Sequence, residues 1–208
     1  MSATAVDRPP AAPRLLLAAG LGALVAVALG VYGNVHDPSQ ELVFTLFFSS
    51  TISMKVWLGT AAAALAVVQV ISAMWVYGKL PGRTPAWAGS VHRISGRLAF
   101  IVSLPVAYHC LWSLGFQDPD ARVLAHSLLG CAVYGAFAAK VTIVRSRGLP
   151  GIALPVAGGI MFAVLIGAWL TSALWFVDER AGLSSEPCCA EPTGRSSCSV
   201  GRLLCCSW

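Results

Sequence analysis

Residues 56–77 read VWLGTAAAALAVVQVISAMWVY, twenty-two residues without a charged side chain. A helix rises about 1.5 Å per residue, so this run covers about 30 Å, the hydrocarbon thickness of a bilayer. Four more apolar runs of comparable length follow the same reading, at 15–32, 98–116, 123–139 and 152–176. The expected fold is therefore all-α: a polytopic transmembrane helix bundle of five spans over residues 15–177. It is preceded by a short N-terminal segment, 1–14, and followed by a Cys-rich tail, 178–208. The whole composition agrees, since 57% of the 208 residues are apolar and 11% charged. A soluble domain of that size would lack polar surface.

The first run has Arg8 and Arg14 before it and Ala26-Val27-Ala28 within it, the outline of a cleavable signal peptide. Apolar sequence continues past that point through Val31 and Tyr32, so a retained span is expected. Residues 42–48 are apolar but too short to cross, and suit a shallow interfacial helix. The net charge of +5 would fit a nucleic-acid partner only if the basic residues formed a face, and they cluster at span ends instead. Partners are expected to be the lipid bilayer, other membrane subunits or a redox partner, and not nucleic acid.

With a cytoplasmic N-terminus, Arg8, Arg14, Lys79, Arg83, Arg93, Arg97, Lys140, Arg145 and Arg147 fall on the inner face, nine of fourteen basic residues. Asp37, Glu41, Asp118 and Asp120 fall on the other, together with the tail. The expected location is the bacterial plasma membrane, crossed several times. Cys188, Cys189, Cys198, Cys205 and Cys206 crowd a tail without hydrophobic periodicity. Such a tail is expected to be disordered, or held by disulfides if exported. A shifted reading frame at the gene's end would also account for its composition.

Polar groups inside the spans carry what chemistry there is. Gln69 must find a partner, most simply as glue to another helix. Pro105 removes a backbone donor from the third span, freeing the carbonyl of Ile101. Pro155 with Gly158-Gly159 falls near the start of the fifth, where a distorted turn costs less. Gly130, Ala132, Gly135, Ala136 and Ala138 permit close helix approach. The tryptophans at 57, 75, 87, 112, 169 and 175 suit an interfacial belt.

His92 and His109 are seventeen residues apart on one span, about 25 Å, so they cannot share a metal. His109 and His126 stand on consecutive spans joined by the short 117–121 loop, at depths of about 10 and 5 Å below one boundary. Two imidazoles so placed can supply both axial ligands of a b-type haem, with Gly130 one turn beyond His126 leaving room for a flat ring. Helices in direct contact lie 8–10 Å apart, so the two would have to splay. The same pair is the candidate metal site, with His36, Asp37, Glu41, Cys110 and Cys131 as possible further ligands. The alternative is a non-catalytic membrane scaffold or subunit whose histidines are interhelical glue to carbonyls or to Tyr108 and Tyr134. No dinucleotide, phosphate-loop, zinc-protease or serine-hydrolase motif is present, nor Cys-x-x-Cys-His.

The segments His92-Arg93-Ile94-Ser95-Gly96-Arg97-Leu98-Ala99-Phe100, Pro105–Trp112, Ala125–Cys131 and Tyr134–Lys140 resemble an uncharacterised family of bacterial multi-pass membrane proteins, a domain of unknown function. More distantly, His-Arg-x-x-Gly at His92–Gly96 is similar to a motif of cytochrome b561 and ferric-reductase-like transmembrane proteins. That resemblance implies haem b and electron transport. Those proteins carry two pairs of haem-ligating histidines, whereas this chain offers one outer pair and no inner partner for His92.

Charge asymmetry yields the first prediction. Reporter fusions at residues 84 and 148 should be active only as cytoplasmic reporters, and a fusion at 119 only as an external one. Cytoplasmic activity at 119 would reverse the orientation.

Overall fold

A computed structural model describes residues 11–39, 43–174 and 176. Its described residues form five helices long and apolar enough to cross a membrane, and no strand among them. They are α1 (Ala11–Val35), α2 (Thr51–Val76), α3 (Ala88–Tyr108) continued by a π-helical segment (His109–Leu114), α4 (Ala121–Arg145), and α5 (Ala153–Trp169) continued by a second π-helical segment (Leu170–Leu174). The helices outrun the apolar runs. α3 starts ten residues before Leu98, because His92, Arg93 and Arg97 end a hydrophobic run without ending a helix. The Cys-rich tail, Glu41 and Trp175 lie outside the described residues.

Helix ends follow local chemistry. The Ser50 hydroxyl accepts from Ser53 N at 3.1 Å and the Asp120 carboxylate from Val123 N at 2.9 Å, each capping a helix whose first amides have no intrahelical partner. α2 stops at Gly78, whose φ of +63° lets Lys79 N reach Met74 O at 2.8 Å and Gly78 N reach Trp75 O at 3.0 Å. Pro155 occupies the first turn of α5, where the missing donor is harmless. Residues 43–48 turn without forming the interfacial helix expected from their apolarity; Leu46 takes φ +50° and Phe47 is fully exposed. Six residues are too few to recover helix nucleation without a packed face.

Only 6 to 22% of each apolar window is buried within the bundle, so most of the apolar surface needs lipid as its solvent. Leu16, Leu24 and Val27 of α1 are each more than 60% exposed.

Laterally the helices form a ring: α3 packs on α2, α2 on α5, α5 on α4, and α4 on α1. The ring closes where α1 meets the π segment after α3. There Phe116 N donates to Gly33 O at 2.7 Å, Gly115 takes φ +71° against the same carbonyl, and the His36 ring lies 4.4 Å from that of Trp112. α3 and α4 are consecutive but do not lie backbone to backbone, contrary to what their short connection suggests. They meet through large side chains: Phe100 stacks on Phe137 at 4.2 Å, and the Tyr134 hydroxyl donates to Ser103 O at 3.1 Å.

The tightest approach is between α1 and α4. A Cβ at Gly22 would stand 2.7 Å from Gly135 O, and one at Gly135 would stand 2.5 Å from Gly22 O. Two glycine backbones therefore touch directly, the small-residue packing that holds helices together in lipid. We expect Gly135→Leu to lower the unfolding free energy in detergent by about 1–3 kcal/mol. Gly130→Ala, where a Cβ meets nothing within 4 Å, should change it by less than about 0.5 kcal/mol. Equal effects of the two would show that the glycine contact is not what joins α1 to α4.

Candidate functional site

Polar residues within the spans sort into three places. Toward the end that carries the α2–α3 connection, Gln69 Nε2 donates to the His92 carbonyl and, at 2.8 Å, to Ser95 Oγ. His92 Nδ1 stands 3.1 Å from both Gln69 O and Ser72 Oγ. Gly96 makes room, since a Cβ there would meet Gln69 Oε1 at 3.0 Å. Gln69 is thus interhelical glue, as its isolation in an apolar run requires. The same contacts give the His92–Gly96 motif a packing role: one residue supplies the carbonyl and the other the space.

At the opposite end His109 is 1% exposed. Its Nδ1 lies 2.9 Å from Pro105 O, and Phe44 N donates to its Nε2 at 3.3 Å. A carbonyl only accepts, so Nδ1 carries the proton and Nε2 the lone pair. Phe44 packs edge-on against the ring at 4.5 Å. His36 sits between Tyr32 and Trp112 in an aromatic stack. Among the described residues no three of His, Cys, Asp and Glu group closely enough to hold a metal ion.

His126 occupies a different environment. Its Nδ1 lies 3.1 Å from Ala168 O and 3.2 Å from Thr171 Oγ1, both on the last turns of α5 and its π continuation. The carbonyl again assigns the proton to Nδ1 and the lone pair to Nε2. His126 lines a partly open cavity of about 170 Å³ bordered by α2, α3, α4 and α5, in the gap where α3 and α4 stand apart. His109 is not among the lining residues. The two histidines therefore have matching tautomers but face different surroundings: His126 the cavity, His109 the 43–48 segment.

The cavity is apolar over most of its wall, with Cys110, Cys131 and Tyr134 on its sides. Gly59 and Gly130 both border it, and a Cβ at either would meet nothing within 4 Å. Trp169, expected in an interfacial belt, turns inward instead and donates from Nε1 to Thr60 Oγ1 at 3.0 Å, tying α5 to α2 along the cavity wall. Lys55 and Arg122 border it too. Neither stood out in the sequence, although a cation on the side of the membrane opposite the basic clusters was the signal that could have marked them. Arg122 donates to Thr171 O at 2.9 Å.

These surroundings give the two histidines unequal weight in stability. His109→Ala should lower the unfolding free energy by about 2–4 kcal/mol, because it opens a void and leaves Phe44 N without its acceptor. His126→Ala, beside space that already exists, should cost about 1 kcal/mol or less. Detergent unfolding of the two variants side by side checks this, and the reverse order would contradict the geometry.

No curated protein and no solved structure matches the chain. A match over residues 15–184 takes in all five spans, and on it this chain belongs to the family of unknown function DUF6529.

Proposed function

We propose that this membrane protein binds a flat, largely apolar cofactor between α3 and α4, and that the cofactor is a b-type haem used for electron transfer. The observation that carries the reading is the separation of α3 from α4 around an apolar cavity bordered by His126 and by the bare backbone of Gly130. His126 would hold the iron through Nε2, since its Nδ1–H is held by the Ala168 carbonyl. A bound haem would supply a one-electron change at iron, while the apolar wall excludes water and tunes the potential. The cavity is partly open, so a macrocycle larger than its 170 Å³ would extend beyond the enclosed part. His109 does not fit the role of second ligand as it stands, because its Nε2 accepts from Phe44 N. The reading therefore rests on His126.

A second reading, a non-catalytic scaffold or subunit, is favoured by a separate observation. His92 and His109 both have ring nitrogens engaged in hydrogen bonds that tie helices or loops together.

Absorption spectra of protein purified from haem-replete cells separate the two. Haem should give a Soret band and a change in the α-band region on dithionite reduction, and His126→Ala should abolish both, whereas His92→Ala should leave them intact. Loss on His109→Ala as well would mean that the 43–48 segment yields and the pair ligates together. A colourless preparation, or a haem spectrum that survives His126→Ala, would leave the scaffold reading standing.

A further inference from the structure

A second apolar space lies between α1, α3 and α4, a crevice of about 330 Å³ whose walls include Leu29, Tyr32, Leu104 and Trp112. Ala107, Leu111 and Tyr134 border both it and the His126 cavity. Tyr32 and Leu104 are each more than 40% exposed, so the crevice opens on the outside of the bundle, where lipid lies. The helix faces that line it carry three arginines. Arg97 and Arg93 precede Leu104 by seven and eleven residues, and Arg145 follows Tyr134 by eleven, whole numbers of helical turns to within about 20°. α3 and α4 run in opposite directions, so all three arginines stand at one end, which carries the α2–α3 and α4–α5 connections. All three are exposed, and each lies about 10–16 Å along the helix axis from the crevice. Ile101, between Leu104 and Arg97, is exposed as well, and Phe100 stacks on Phe137 at 4.2 Å to join α3 to α4 along this stretch. Arg93 keeps one donor on Ser90 Oγ at 3.2 Å, and its guanidinium lies over Gly89, turned toward the helix start. The two connections at this end add Lys79, Arg83 and Arg147 and contain no Asp or Glu.

We infer that this groove seats one anionic phospholipid, with its phosphate at Arg93, Arg97 and Arg145 and one acyl chain running past Ile101 into the crevice at Leu104. Guanidinium groups suit phosphate because their planar donors pair with its oxygens two at a time. Arginines at span ends hold their stems against apolar neighbours and carry their charge to the level of the headgroups, the depth at which a lipid phosphate rests. The chain length fits as well. One leaflet supplies about 15 Å of hydrocarbon, half of the bilayer's roughly 30 Å, and Leu104 stands about 10 Å from Arg97 along the axis. A soluble anion would meet the arginines but leave the crevice empty, whereas a lipid uses both. The inference involves neither His126 nor iron, so it goes beyond the haem reading and stands or falls apart from it.

Purified, delipidated full-length protein in neutral detergent is titrated with dioleoyl phosphatidylglycerol or dioleoyl phosphatidylcholine, and bound lipid is counted by native mass spectrometry. The first phosphatidylglycerol should bind about tenfold or more tightly than the first phosphatidylcholine. Arg97→Gln and Arg145→Gln should each weaken phosphatidylglycerol by about fivefold, the worth of one basic residue at a lipid surface, and leave phosphatidylcholine unchanged. Arg83→Gln removes the same charge from the same end but lies off the groove, and should change neither. Ala107→Leu, which adds side chain to the crevice wall, should weaken both lipids alike. Size-exclusion profiles and helix content confirm that the variants are folded. Equal affinity for the two lipids would overturn the inference. So would a loss with Arg83→Gln as large as that with Arg97→Gln, which marks a diffuse basic collar, or unchanged binding in Ala107→Leu, which puts the chain elsewhere. Displacement of phosphatidylglycerol by an equal concentration of glycerol 3-phosphate would replace the lipid seat with a site for soluble anions.

Discussion

Everything distinctive in the lateral arrangement depends on the contact between the backbones of Gly22 and Gly135. In lipid no hydrophobic force draws helices together, so association goes to the pair whose surfaces let the backbones approach most closely. The small-residue face of α4 at Gly135 and Ala139 lies on α1, and α4 does not lie backbone to backbone against α3, its neighbour in sequence. The short connection keeps the ends of α3 and α4 near each other, and Ser127 Oγ fastens it by donating to Gln117 O at 2.8 Å. Between these two constraints the helices diverge, and the Phe100, Tyr134 and Phe137 rings fill the gap on one side only. The space left on the other side is the cavity. Its existence is thus a by-product of where the chain found its best helix pair.

Polar side chains in this bundle do different jobs at its two ends. Gln69, Ser72, His92 and Ser95 hydrogen-bond one another and so work as a bolt between α2 and α3. At the other end three ionisable residues border the cavity. Lys55, Arg122 and His126 reach the same cavity from α2 and α4, and the partners that the described residues provide for the last two are carbonyls and a hydroxyl of α5. An end at which polar groups are mutually satisfied is a structural end. An end at which they surround an apolar opening is where a ligand would gain from meeting them.

How far the sequence could be read follows from the same physics. Span number and position were legible because the bilayer sets a length, and five apolar runs of that length are hard to mistake. The partner of Gln69 was legible as a requirement, though not as His92. The neighbours of each helix were not legible, since a helix apolar all round shows lipid and protein the same kind of side chain. Gly135 was noticed among other small residues, but only the structure distinguishes it, packed on Gly22, from Gly130, which faces open space. The pairing of His109 with His126 rested on equal depth and sequence adjacency. Depth along the normal says nothing about which way a ring points across it, and His109 points to Phe44.

The π-helical segment His109–Leu114 carries a consequence for the register of α3 as a whole. A wider turn is equivalent to an extra residue inserted into an α-helix, and one residue is worth about 100° of rotation. Side chains before and after the segment therefore follow two different helical phases. Within the segment, Trp112 lies beside Tyr32 and His36. A chain shorter by one residue in this stretch could regain uninterrupted α-helical winding, but every group beyond the deletion would then swing by about a quarter of a turn. The extra residue works as a phase shifter, letting one continuous span serve two sets of neighbours along its length.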